Sequence, residues 1–146
     1  MIALIQRVRE ARVDVAGSAV GAIGPGLLAL IGVRKDDTSR DVERMLERLL
    51  GYRVFPDAEG RMNLALTDTG GGLLLVSQFT LAADTRQGMR AGFQTAAEPA
   101  QAENLFNALV EAARSQHRGT VATGQFGAHM QVSLVNDGPV TFWLES

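Results

Sequence analysis

Apolar residues recur along this chain with two different periods, and the switches between them divide it into elements. Positions 2 to 8 and 12 to 15 alternate roughly between apolar and polar, as half-buried strands do. Gly24-Pro25-Gly26 then turns into a continuous apolar run, Gly26-Leu27-Leu28-Ala29-Leu30-Ile31-Gly32-Val33, of strand length. A helical period follows: Val42, Met45, Leu46, Leu49 and Leu50 share one face, Thr38 can cap with Asp41 three residues on, and Gly51 can close the end. After a turn at Pro56-Asp57-Ala58-Glu59-Gly60, the glycines 70 to 72 lead into Leu73-Leu74-Leu75-Val76-Ser77-Gln78-Phe79, a second buried strand. Residues 82 to 97 carry glycines and charges without a sustained period and read as a long loop over a site. Pro99 opens a second helix with the stripe Ala102, Leu105, Phe106, Leu109, Val110 and Ala113, ending near Arg114 and His117 before Gly119. Three more strands are expected at 121 to 126, 130 to 135 and 140 to 144, the last two joined through Asn136-Asp137-Gly138-Pro139. The sum is an α/β domain, a curved, largely antiparallel sheet or barrel with two helices packed on the outside.

At 146 residues and 46% hydrophobic, the chain fits one domain spanning residues 1–146, with enough apolar material for a core. There is no cysteine, so disulfides and thiolate metal sites are excluded. No basic segment followed by a long apolar one opens the chain, and no stretch approaches the roughly 20 apolar residues of a membrane span, so a cytoplasmic protein is expected. A net charge of −2 argues against a wide basic field for coating nucleic acid. Lys35 is the only lysine beside the arginines, whose guanidinium suits phosphate contact and base stacking; a coding bias toward arginine accounts for this equally well.

The familiar catalytic constellations are missing. Ser77 lacks the Gly-x-Ser-x-Gly elbow, and only His117 and His129 could act as its base. Two histidines without His-x-x-x-His spacing make a poor metal set, and the glycines 70 to 72 are not followed by Gly-Lys-Ser/Thr as a phosphate loop requires. The default is a site without metal or cofactor. What remains is main chain: a strand end at Ser77-Gln78-Phe79-Thr80-Leu81 can aim successive N–H groups at a developing oxyanion, each worth about 2.7 to 4 kcal/mol in acyl transfer. On composition alone the plainer reading makes Ser77 and Thr80 ordinary strand-edge hydroxyls bonded to backbone. Gly138-Pro139 stands between two apolar strands, where proline gives the ladder no donor and a cis bond is tolerated, and a tight hairpin turn is the plainer reading.

These two blocks resemble the signatures of the D-aminoacyl-tRNA deacylases, Ser-Gln-Phe-Thr-Leu and Asn-x-Gly-Pro-Val-Thr. The opening Met1-Ile2-Ala3-Leu4-Ile5-Gln6-Arg7-Val8 and the segment Met130 to Phe142 extend the resemblance from end to end. It implies a homodimer in which a cis Gly138-Pro139 reaches from one subunit into the site formed by Ser77, Gln78, Phe79 and Thr80 of the other, with Arg7 holding that loop. It also implies the 3′ end of an aminoacyl-tRNA as substrate, a hydrolysis without metal, and Phe126 and Met130 lining the adenosine side of the pocket. Arg90-Ala91-Gly92-Phe93 departs from the pattern, since relatives often have Arg-Pro there, which bears on the rigidity of that loop.

The mechanism that the resemblance implies works by exclusion. With the substrate ammonium on the Gly138-Pro139 carbonyls and the ester on the Phe79 and Thr80 N–H groups, an L side chain runs into the proline corner and a D side chain points to solvent. Glycine, lacking a side chain, passes. Water is activated either by Thr80 or, preferably, by the 2′-OH of the tRNA, because neither block contains a His, Lys or carboxylate able to deprotonate a threonine. The alternative class is a non-enzymatic nucleic-acid-binding module contacting phosphates through Arg7, Arg9, Arg12 and Arg86. A small-molecule ester hydrolase is disfavoured, since nothing resembles a deep pocket for an acyl chain.

Overall fold

A computed structural model describes all of residues 1–146. Its strands are β1 (Ile2–Val15), β2 (Ser18–Ile23), β3 (Gly26–Gly32), the short β4 (Phe55–Pro56) and β5 (Met62–Leu64), β6 (Gly72–Ser77), β7 (Val121–Thr123) and β8 (Gln131–Glu145). Helix α1 (Ser39–Gly51) follows β3, α2 (Leu66–Thr69) is a single turn before β6, and α3 (Pro99–Gln116) precedes β7.

The sheet is organised around β1. Its residues pair antiparallel with β2 and β3 along one edge and with β8 along the other, while β3 continues to β6 and β6 to β7 in parallel. The sheet is thus mixed, with antiparallel pairs in the majority. It curls until β2 meets β7, so closely that a Cβ on Gly21 would lie 2.2 Å from the carbonyl oxygen of Thr123. Only glycine permits that approach.

Both continuous apolar runs are explained by burial on two faces. In β3, Leu27, Ala29 and Ile31 join the core under the helices, and so do Leu73 and Leu75 of β6. Leu28, Leu74 and Val76 point the opposite way, into the barrel interior with Val8, Val13 and Ile23. No polar face is left in either strand, which is why the alternation expected of a half-buried strand is absent. The helix stripes close the outer core: Met45, Leu46 and Leu49 of α1 and Phe106, Leu109 and Ala113 of α3 are all buried there. At the start of α1, the Asp41 carboxylate accepts the Thr38 N–H at 2.8 Å, the reciprocal cap expected from Thr38 and Asp41.

Several boundaries differ from the sequence expectation. The segments 2 to 8 and 12 to 15 are one 14-residue strand, because the irregularities between them are bulges in the β8 pairing that do not break the strand. The expected strand at 121 to 126 stops at Thr123. A third helix, α2, joins the two expected; at four residues it is too short to show a period, and it forms because Asp68 accepts the Ala65 N–H at 2.7 Å. His117 is buried, with Nε2 at 2.7 Å from the Gly71 carbonyl oxygen, a satisfied structural side chain. No helix is long and apolar enough to cross a membrane.

Leu109, fully buried between α3 and the sheet, sets the first test. Leu109→Ala is expected to lower the unfolding free energy by about 3 kcal/mol in urea titration, whereas Asn107→Ala, on the exposed face of the same helix, changes it by less than about 0.5 kcal/mol.

Candidate active site

β6 delivers the first block to the rim of the sheet. Its last rung is Ser77 beside Ile31, and the Gln78 N–H then donates to the Ile31 carbonyl at 2.7 Å, fastening the strand end to β3. The chain folds at once into a 3-10 turn over Phe79–Ala82. The turn's first bond runs from the Leu81 N–H to the Gln78 carbonyl at 3.2 Å, so the preceding N–H groups, on Phe79 and Thr80, have no partner within it. Both residues are exposed, and these two amides are the donors available for a developing oxyanion.

A cleft of about 440 Å³ opens beside them, lined by Ser77, Gln78 and Phe79 from the strand end and by Phe126, Ala128, His129 and Met130 from the segment before β8. Pro99 and Ala102 of α3 close another side. Five of the nine expected site residues, Ser77, Gln78, Phe79, Phe126 and Met130, therefore meet in one cavity. Phe126 is braced by Phe106 of α3, ring centroids 6.3 Å apart, and Met130 turns its Sδ to the Gln125 N–H at 3.4 Å. Thr80 adjoins the cleft through Gln78, whose Nε2 donates to the threonine Oγ1 at 2.5 Å. That hydroxyl has no histidine or carboxylate partner. His129, one of the two histidines of the chain, is exposed and faces the same cavity.

The loop that follows does not cover the cleft: Asp84, Thr85 and Arg86 line a separate cavity with Arg34 and Trp143, and the loop reaches the cleft rim through Phe93, whose ring lies 5.2 Å from that of Phe79. Asp84 and Gly92 exchange both backbone hydrogen bonds, at 2.8 and 2.9 Å. The Arg86 guanidinium and amide hold the Asp84 carboxyl well below the usual carboxylate range, so the pair stays charged and fixes the loop base.

The second block is built differently from the hairpin turn considered above. Thr141 to Glu145 pair with one half of β1, and Gln131 to Asn136 with the other. Residues 137 to 140 are an excursion from one continuous strand; β1 holds both flanks in line, so the chain never reverses. The Gly138–Pro139 bond is cis, and both residues are exposed. Gly138 has φ +153°, and a Cβ there would come 2.6 Å from the Val140 side chain, so the position admits no other residue without strain. Arg7 donates from Nε to the Asp137 carbonyl at 2.8 Å and from Nη1 to the Val54 carbonyl at 2.6 Å, tying the excursion to the body of the protein. Asn136, quoted in the motif but given no role by sequence reasoning, clamps its base. Its Oδ1 accepts the Val140 N–H at 2.7 Å and its Nδ2 donates to the Val140 carbonyl at 3.2 Å. The signal was there in principle, since asparagine side chains commonly bond nearby backbone in turns.

Within one chain the two blocks stand apart. Arg7 pairs with Leu27 and Leu27 with Leu73, four residues short of Ser77, so they are separated by about 13 Å along the strands at roughly 3.3 Å per residue. Arg7, Gly138 and Pro139 are therefore not brought into the cleft of their own chain.

The family model described as D-Tyr-tRNA(Tyr) deacylase matches residues 4–145. This chain belongs to that family. A protein of Thioalkalivibrio sulfidiphilus called D-aminoacyl-tRNA deacylase is 69% identical over 145 residues, covering 99% of this chain and 97% of its own. The protein of the same name from Azotobacter vinelandii is 66% identical over 146 residues and the whole of both chains. Among solved structures, one described as c-Myc DNA Unwinding Element Binding Protein is 40% identical, with TM-score 0.95 over 100% of this chain and 99% of that one. A probable eukaryotic D-amino acid tRNA deacylase shares the fold at 17% identity, with TM-score 0.82 over 99% and 98%. In this member of the deacylase family, the two sequence blocks singled out above lie at the cleft beside the 3-10 turn and in the clamped excursion.

Asn136→Ala removes the acceptor of the Val140 N–H. Hydrogen exchange of that amide is expected to accelerate about ten-fold or more, with global stability reduced by only about 1 kcal/mol, as read by native-state exchange.

Proposed function

We propose that this chain hydrolyses the ester joining a D-amino acid to the 3′-terminal adenosine of tRNA. The observation that carries the proposal is the pair of N–H groups on Phe79 and Thr80, left without partners in their turn beside a partly aromatic cleft. Donors fixed before the reaction stabilise an oxyanion without reorganising. The adenosine is taken to lie against Phe126 and Met130, which puts the ester carbonyl at the turn.

The working unit is a homodimer in the cytoplasm. One chain cannot supply Gly138–Pro139 to its own cleft, whereas a second copy can bring its exposed excursion to the Ser77–Thr80 segment across an interface. The carbonyls of that corner accept the substrate ammonium, and the corner occupies the space that an L side chain needs. A D side chain points to solvent, and glycyl-tRNA is cleaved as well, since glycine presents nothing to exclude. Arg7 and Asn136 hold the corner in position.

For water activation, the 2′-OH of the terminal ribose is preferred over Thr80. The Thr80 oxygen accepts a hydrogen bond from Gln78 and touches no base, which supports a positioning role for the threonine. The binding-module alternative is not favoured by the charges it would use. Arg12 and Arg86 sit on Asp14 and Asp84 at 2.6 and 2.7 Å, and Arg7 and Arg9 share Asp137 at 3.8 and 3.9 Å, which offsets their field.

Paired assays with D- and L-tyrosyl-tRNA test the reading: the D ester is expected to be cleaved about 100-fold faster or more. Equal rates would sink the exclusion mechanism. Thr80→Ala is expected to slow single-turnover hydrolysis of the D ester by less than about ten-fold, and a loss of several orders of magnitude would make the threonine the activating group.

A further inference from the structure

An aromatic surface runs out of the cleft into solvent, and the ester chemistry makes no use of its outer half. Phe79 at the rim is 58% exposed and Phe93 beyond it is 43% exposed, with ring centroids 5.2 Å apart. In the single chain both rings stand half in water; in the proposed dimer the partner's excursion reaches Phe79, and Phe93 lies one ring farther out, held by the loop's own bonds. Asp84 and Gly92 close its neck, Thr95 Oγ1 donates to the Ala82 carbonyl, and the Ala96 N–H donates to the Phe93 carbonyl at 3.1 Å. Three residues before Phe93, Arg90 is exposed and forms no ion pair, although Arg86 on the same loop is paired with Asp84.

An open aromatic face with an unpaired guanidinium three residues away on the same loop matches the two halves of a nucleotide. A base stacks on the ring without regard to its hydrogen-bonding edge, and its phosphate meets the cation; single-strand binding surfaces combine these two contacts. The surface is also continuous, through Phe79, with the cleft assigned to the terminal adenosine.

Resting on the deacylase reading above, we propose that Phe93 and Arg90 form a subsite for the nucleotide on the 5′ side of the terminal adenosine. The base stacks on Phe93 and the phosphate lies against Arg90. The enzyme thereby grips the single-stranded tail of tRNA one nucleotide beyond the ester, and this contact contributes to capture of the substrate without touching the reacting atoms.

Two substrates separate this role from simple packing: D-tyrosyl-tRNA, and D-tyrosyl-adenosine, which ends at the cleft. Phe93→Ala is expected to raise KM for the tRNA ester about ten-fold. Its kcat, and both parameters on the adenosine ester, stay unchanged. Phe93→Trp restores the KM. Arg90→Ala is expected to raise KM for the tRNA ester alone and to reduce the slope of log affinity against log salt by about 0.7. Equal losses on both substrates, or no loss on either, would overturn the subsite. So would conversion of a dimer to a monomer by Phe93→Ala, which would assign the ring pair to the subunit contact. A wild-type protein that cleaves neither ester would overturn the deacylase reading and this proposal with it, a result distinct from normal wild-type turnover with unaffected variants.

Discussion

The hydrogen bond from the Gln78 N–H to the Ile31 carbonyl is the point at which the core of this protein gives way to its candidate site. Up to Ser77, β6 is held in parallel register with β3 by side chains buried on both faces, so its end cannot slide without moving Leu73 to Val76 out of two cores. One residue later the pattern stops, and the chain turns tightly with two amides left over. Their direction is inherited from the strand. A donor pair on a free loop would spend entropy on being held; here packing has already supplied the order.

β1 performs the same service for the second block. It is paired along both edges, with β3 and β2 on one and β8 on the other, and no strand in the sheet is more constrained. A strand of that kind can hold both flanks of β8 in line while residues 137 to 140 leave the ladder. Arg7, on β1 itself, and Asn136, on the near flank, then define how the excursion stands out from the surface. The corner is exposed but not loose, which is what the proposed selectivity role across a dimer requires.

Much of this was legible in the residues. The two uninterrupted apolar runs, the capped helix at Thr38 and the proline-led helix at Pro99 were readable because each satisfies a local rule whose period or chemistry is unambiguous. The one-turn helix α2 escaped because four residues cannot display a period. The hairpin alternative at Gly138–Pro139 failed for a different reason: a turn and a bulge share the same turn residues, and what separates them is whether one partner strand holds both flanks. Phe93 gave no signal either, since a lone aromatic in an aperiodic loop acquires meaning only once Phe79 is placed beside it.

The sequence by itself determined the two long helices and the main buried strands, and it contained both signature blocks, because side-chain period and local turn chemistry act over a few residues and need no partner. Only the tertiary structure decided that Ser77, Phe126 and Met130 meet at one cleft while Gly138 and Pro139 stand at another part of the sheet. Those positions are far apart along the chain, and their distances follow from strand order and register, which depend on how all the buried faces are satisfied together.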